Sequence, residues 1–214
     1  MIYNTRAIVL SNLRYGDNSL IVDLYTEKIG RQTIFIKGAF SKKSKMSAAL
    51  FQPLNLLEID LHHRQNRQMQ RISNVQMHSI FQNIQYNPVK SCIAMFIAEA
   101  LYKTLKEEEA NHELFSFLLH AIQTLDLNNE GTANFHIAFL IEYSKYLGFY
   151  LKYENILAQN FEVSFENLNG LALNKMQRNE ITEYLLSRYS IYVENFGTMK
   201  SFSVLQNVFG DGKY

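Results

Sequence analysis

The amino-acid sequence predicts an α+β protein of two domains, an N-terminal OB-fold β-barrel over residues 1–80 followed by an all-α helical bundle over residues 81–214. Two changes near residue 80 predict this division. The hydrophobic period switches from two residues to between three and four. The charge balance also reverses. Residues 1–80 carry eleven Lys and Arg against five acids, whereas residues 81–214 carry ten against fifteen. Charge divided in this way along a chain points to two units with different partners.

The strands come first. Residues 7–13 are largely apolar and run into Tyr15-Gly16-Asp17-Asn18, which is turn chemistry. Residues 19–26 form the second strand. Glu27-Lys28-Ile29-Gly30 makes the next turn, with Gly30 suited to a left-handed conformation. Residues 32–36, 54–61 and 70–76 supply three more strands. Five short strands suit a small closed barrel, which hides its edges by closing.

The helices follow. Asn87 is placed to cap a helix, with Pro88 at its first position. Val89, Ile93, Phe96, Ile97, Ala100, Leu101 and Leu105 then recur at three- and four-residue steps. Glu107-Glu108-Glu109 at the end of this helix opposes its dipole and requires compensation elsewhere. Residues 114–125, 133–147, 176–189 and 201–209 read as four further helices, with Gly148 as a C-cap of the third. Residues 151–173 are mixed in character and read as an irregular excursion or short strands.

Catalytic and metal chemistry is poorly represented, and the chain is not expected to be an enzyme. The single cysteine, Cys92, lies on the apolar face of its helix and reads as a structural thiol. One cysteine excludes an internal disulfide and any cysteine-based zinc cluster. His62 and His63 are adjacent on a strand and point to opposite faces. The other four histidines lack carboxylates at ligand spacing. Gly16, Gly30 and Gly38 are too far apart to cradle a phosphate. No run of eighteen apolar residues spans a membrane, and no secretory signal is expected at the N-terminus, so a cytoplasmic protein is expected.

Nucleic-acid chemistry is better represented. Lys37-Gly-Ala-Phe-Ser-Lys-Lys-Ser-Lys45 puts four lysines into nine residues without an acid. Their mutual repulsion is relieved by a polyanion, most commonly a nucleic-acid backbone. Arg14, Arg31, Lys37, Lys42, Lys43 and Lys45 are the candidate phosphate contacts, with Arg6 and Lys28 as further cations of a groove. Tyr15 and Phe40, next to turns, are the candidate faces for stacked bases. Phe35 alternates within an apolar strand and is expected in the core. Arg64, Arg67 and Arg71 form a second basic cluster around a hairpin, which reads equally as a contact or as charge guarding an edge strand. The alternative to DNA binding is a protein-interaction adaptor whose barrel binds protein and whose lysines only confer solubility.

Tyr15-Gly-Asp-Asn-Ser-Leu-Ile-Val-Asp-Leu-Tyr-Thr26, Gly30-Arg31, Lys37-Gly38-Ala39 with Ser41-Lys-Lys-Ser-Lys45, and Ala48-Ala-Leu-Phe-Gln-Pro53 together resemble the RecO family of bacterial recombination mediators. Tyr146-Leu-Gly-Phe149 is similar to that family's Leu-Gly-Tyr element, and Leu185-Leu-Ser-Arg-Tyr189 and Met199-Lys-Ser201 to its C-terminal helices. The resemblance implies an OB fold with a helical domain, binding of single- and double-stranded DNA, and annealing of complementary strands. It implies RecR and, in many bacteria, RecF as partners in loading recombinase onto DNA coated by single-strand-binding protein. It also implies docking of that protein's acidic, hydrophobic tail, and a bacterial cytoplasmic, nucleoid-associated location. Lys103, Lys106, Lys145 and Lys152 are candidate cations for such a tail, with Tyr102, Phe149 and Tyr153 as walls. Some members carry a four-cysteine zinc site after the Leu-Gly-Tyr element. Residues 150–170 contain no cysteine, so no zinc or other cofactor is expected.

Overall fold

In the computed structural model, residues 1–41, 44–151, 164–165, 167 and 172–209 are described. Most of the expected excursion at 151–173 lies outside the described residues, as do Lys42, Lys43, Lys152 and Tyr153. The chain is α+β. Among the described residues five strands, β1 (Ile2–Tyr15), β2 (Ser19–Thr26), β3 (Gly30–Ile36), β4 (Leu56–His62) and β5 (Arg71–Met77), precede five helices. The helices are α1 (Pro88–Thr104), α2 (His112–Leu127), α3 (Phe135–Tyr146), α4 (Lys175–Tyr192) and α5 (Lys200–Val208).

The sheet is antiparallel, in the order β3-β2-β1-β4-β5. β1 starts five residues earlier than its apolar run, because Ile2–Ala7 pair with His62–Leu57 of β4. The inner face collects Val9, Val22, Leu24, Ile34, Ile36, Leu57 and Ile59, all fully or almost fully buried. A 3-10 turn at Ala48–Phe51 adds Phe51 to this core.

Closure is weaker than the sequence predicts. β3 and β5 do not pair along their length. They meet at one parallel bridge, Ile34 with Gln70, made by Gln70 N–H donating to Thr33 O at 2.8 Å and Phe35 N–H donating to Gln70 O at 3.1 Å. The physical reason lies in the side chain at the bridge. Gln70 is buried, and its amide is committed to the loop that precedes β5 rather than to continuing the ladder. The result is the partly open barrel typical of the OB class.

The chain forms two compact units. One holds Met1–Ile80 with Ala98–Leu119, and the other holds Phe81–Ile97 with His120–Tyr214. In the first, Tyr25 stacks on Phe115 at 6.2 Å, and the Arg6 guanidinium lies 5.5 Å over the same ring. Gly30 adopts φ +63°, and a Cβ there would stand 2.4 Å from the Glu109 carbonyl oxygen, so only glycine fits this turn. In the second unit Asn87 caps α1 as expected, accepting from Val89 and Lys90 N–H at 2.9 and 3.2 Å. Gly148 closes α3 at φ +81°. Buried Asp126 accepts backbone N–H bonds from Gln82, Asn83 and Ile84 at 2.8–2.9 Å. The core of this unit includes Phe139, Tyr143 and Tyr189, with the Tyr189 hydroxyl donating to Leu140 O at 2.7 Å.

Candidate nucleic-acid interface

Antiparallel register places Leu13, Ile21 and Phe35 in one row across β1, β2 and β3. The row lies on the face opposite the core, since the alternate residues Val22, Ile34 and Ile36 are buried. Phe35 is therefore half-buried on the outer face, not in the core. Its ring takes the edge of Tyr15 at 5.9 Å and 80°. Tyr15 is 59% exposed. Two aromatic rings thus flank an apolar strip at the end of the sheet where β1 turns into β2.

The cations gather beside them. Arg14 Nη2 donates to Asp17 O at 3.0 Å, which fixes the arm across the Tyr15–Asn18 turn. Its guanidinium then lies 4.8 Å over the half-exposed ring of Phe40. Lys37 follows the last residue of β3 and is exposed, as is Lys45. Ser41 and Ser44 make backbone turns that carry the loop back to Ala39, where Ala48 N–H donates to Ala39 O at 3.0 Å. Arg14, Lys37, Tyr15, Phe35 and Phe40 thus lie on one end of the barrel and the outer face adjoining it.

Two expected cations are used internally. Arg31 Nη1 donates to the carbonyls of Tyr102 at 2.8 Å and Leu105 at 2.7 Å, and Nη2 lies 3.5 Å from Asp23. Its side chain is only 15% exposed. These bonds satisfy the C-terminal carbonyls of α1, and with Arg31 N–H donating to Glu107 O they place a cation where the three glutamates oppose the dipole. Arg6 is likewise committed. It makes a two-pronged bond to Glu27 at 2.6 and 2.9 Å, which holds the Glu27 carboxyl below the usual range.

The candidate tail-binding residues divide between the two compact units. Tyr102 lies under Arg31, and Lys103 is 4.0 Å from Glu99 one turn back on α1. Lys145 pairs with Glu142 at 2.9 Å and caps the Tyr150 ring at 5.1 Å. Phe149 is buried, stacked on Tyr192 at 4.7 Å and meeting Tyr189 edge-on at 5.0 Å, so it serves packing rather than an open wall. Among the described residues no group of three or more His, Cys, Asp or Glu is arranged to hold a metal ion, and no helix is long and apolar enough to cross a membrane.

A five-stranded OB-type sheet with cations and exposed aromatic rings at one end, joined to a segment whose described elements are helical, defines a two-domain protein of the OB class. Residues 1–81 match the family model described as Recombination protein O N terminal, and residues 85–158 match Recombination protein O C terminal. The chain belongs to the recombination protein O family. It is 35% identical to DNA repair protein RecO of Flavobacterium psychrophilum over 234 aligned positions, covering 96% of this chain and 98% of the relative. The protein of the same name from Christiangramia forsetii is 33% identical over 98% of this chain and 100% of the relative. The one from Bacteroides fragilis is 32% identical with the same coverage.

Proposed function

We propose that this chain is a DNA repair protein that acts as a recombination mediator and not as an enzyme. It binds single- and double-stranded DNA without sequence preference, anneals complementary strands, and helps RecR and RecF load recombinase onto DNA coated by single-strand-binding protein. The observation that carries this reading is the Arg14 guanidinium lying over the half-exposed Phe40 ring, at the end of the sheet where exposed Tyr15 meets Phe35 and where β3 runs into exposed Lys37. Phosphates take the cations and bases take the rings, and neither contact reads sequence. Annealing follows because a surface that screens two polyanions lets them approach. The lone cysteine leaves no four-cysteine zinc site, so the chain works without that resident metal.

Lys42 and Lys43 belong to the same basic loop by sequence. Titration of a fluorescent single-stranded oligonucleotide at several salt concentrations tests the reading. Wild type is expected to lose affinity with salt, at a log–log slope of about −0.7 per phosphate contacted. Changing Lys37, Lys42, Lys43 and Lys45 together to Gln is expected to flatten that slope. Affinity that ignores both salt and these lysines defeats the reading and favours the protein-binding adaptor.

A further inference from the structure

We infer that the tip of the β4–β5 hairpin is a second phosphate-binding element, and that it takes the same DNA strand that crosses Phe35. This inference rests on the function proposed above.

The tip is built, not slack. Gln70, 5% exposed, turns its side chain back into the loop. Its Oε1 accepts from Arg64 N–H at 2.9 Å, and its Nε2 donates to the carbonyls of Arg64 at 3.0 Å and Arg67 at 2.8 Å. Arg67 N–H donates to Arg64 O at 3.1 Å, closing a turn. The carbonyls of Arg64 and Arg67 therefore point inward, and Arg64, Arg67 and Arg71 stand exposed around the loop. No ion pair to any of the three guanidinium groups occurs among the described residues. Three exposed arginines around one loop without a paired carboxylate are a repulsive arrangement that a phosphodiester relieves. Arginine's planar fork meets phosphate with two parallel bonds.

Position selects the ligand. The main chain of Gln70 is bonded to Thr33 and Phe35, so the tip borders the outer edge of β3. Arg67 lines a concavity of about 220 Å³ with Thr33, Gln68, Lys106 and Glu108, and the Glu108 carboxylate makes no ion pair with it. On its other side it lines one of about 330 Å³ with His62, Arg64 and Arg71. Thr33 and Phe35 point to the same face two residues apart, roughly 7 Å along the strand, and Lys37 is roughly 7 Å further on. A single strand stacked on Phe35 therefore has Lys37 on one side and Arg67 on the other. Charges that merely guarded an edge would all sit on β5, as Arg71 does at its first position. Arg64 and Arg67 are in the loop, and Gln70 fixes their backbone for no gain in edge protection.

The test compares the full chain with the triple variant R64Q/R67Q/R71Q and with K37Q/K45Q, using a fluorescent 20-nucleotide oligothymidylate at four salt concentrations. All five substituted side chains are exposed, and circular dichroism with a melting curve verifies folding. The inference expects the arginine variant to bind at least tenfold more weakly at low salt and its slope to shrink by about two, three phosphates at about 0.7 each. The conservative R64K/R67K/R71K variant is expected to keep the slope and lose affinity through the missing second bond. A folded arginine variant with wild-type affinity and slope overturns the inference, and if K37Q/K45Q still weakens binding, the proposed function survives. Wild type that binds no oligonucleotide overturns both.

Discussion

The guanidinium of Arg31 lies 4.6 Å above the ring of Tyr102 while its Nη1 donates to the carbonyl of the same residue at 2.8 Å. One side chain from β3 thus closes the C-terminal end of α1, and a cation that the sequence offers to DNA is held by the protein's own backbone.

Replacing Arg31 with Ala is therefore expected to reduce stability by about 2–3 kcal/mol, the size of charge-assisted bonds lost from a largely buried site. Urea unfolding measures this. The salt slope of oligonucleotide binding should stay at its wild-type value, whereas a direct phosphate contact would shift it.

Phe35 and Tyr15 give the opposite signature. Tyr15→Ala and Phe35→Ala should each weaken binding of single-stranded oligonucleotide by about 1–3 kcal/mol while leaving the salt slope unchanged, since stacking carries no counterion release. Titration at two salt concentrations separates this from an electrostatic loss. Phe35→Leu should keep the fold and lose most of the stacking.

Acid should unfold the helical unit through His136. Its imidazole is fully buried with Nε2 2.9 Å from the Thr182 hydroxyl, and burial, reinforced by Arg178, lowers its pKa from 6.5 to about 3. The folded form therefore keeps His136 neutral where the unfolded chain binds a proton. Stability is whole above pH about 6.5 and falls by up to about 1.4 kcal/mol per unit as pH drops toward 3. His136→Gln should flatten this dependence between pH 6 and pH 4 in urea titrations. A slope equal to wild type would assign the acid sensitivity to other groups.

Gln70→Leu should leave the Arg64 amide and the Arg64 and Arg67 carbonyls without their partner. The expected loss is about 1–3 kcal/mol. Limited trypsin digestion should cut after Arg64 and Arg67 faster than in wild type.

Local chemistry was legible in the sequence, and long-range wiring was not. The Tyr15–Asn18 turn, the Asn87 cap with Pro88 and the Gly148 stop each follow from one residue's backbone preference, and each is present. Sequence alone puts Phe35 on the wrong face because Ile34-Phe35-Ile36 is apolar in both phases of a strand; only its pairing with Ile21, beside Leu13, decides which side is wet. Arg31 misled for a different reason. Its acceptors are carbonyls more than seventy residues away, and a carbonyl has no sequence signature. The incomplete closure at Gln70 belongs to the same class, since a buried glutamine in a polar loop looks like any other surface amide.

The chain passes between its compact units three times, after Ile80, after Ile97 and after Leu119. The match to the family's N-terminal description ends at residue 81, but a gene fragment truncated there would strip Tyr25 and Arg6 of Phe115, and Arg31 of its helix end. The isolated barrel should express as a sticky, partly melted product, and dissection of this protein into halves calls for a split-and-reassemble strategy in place of a simple cut.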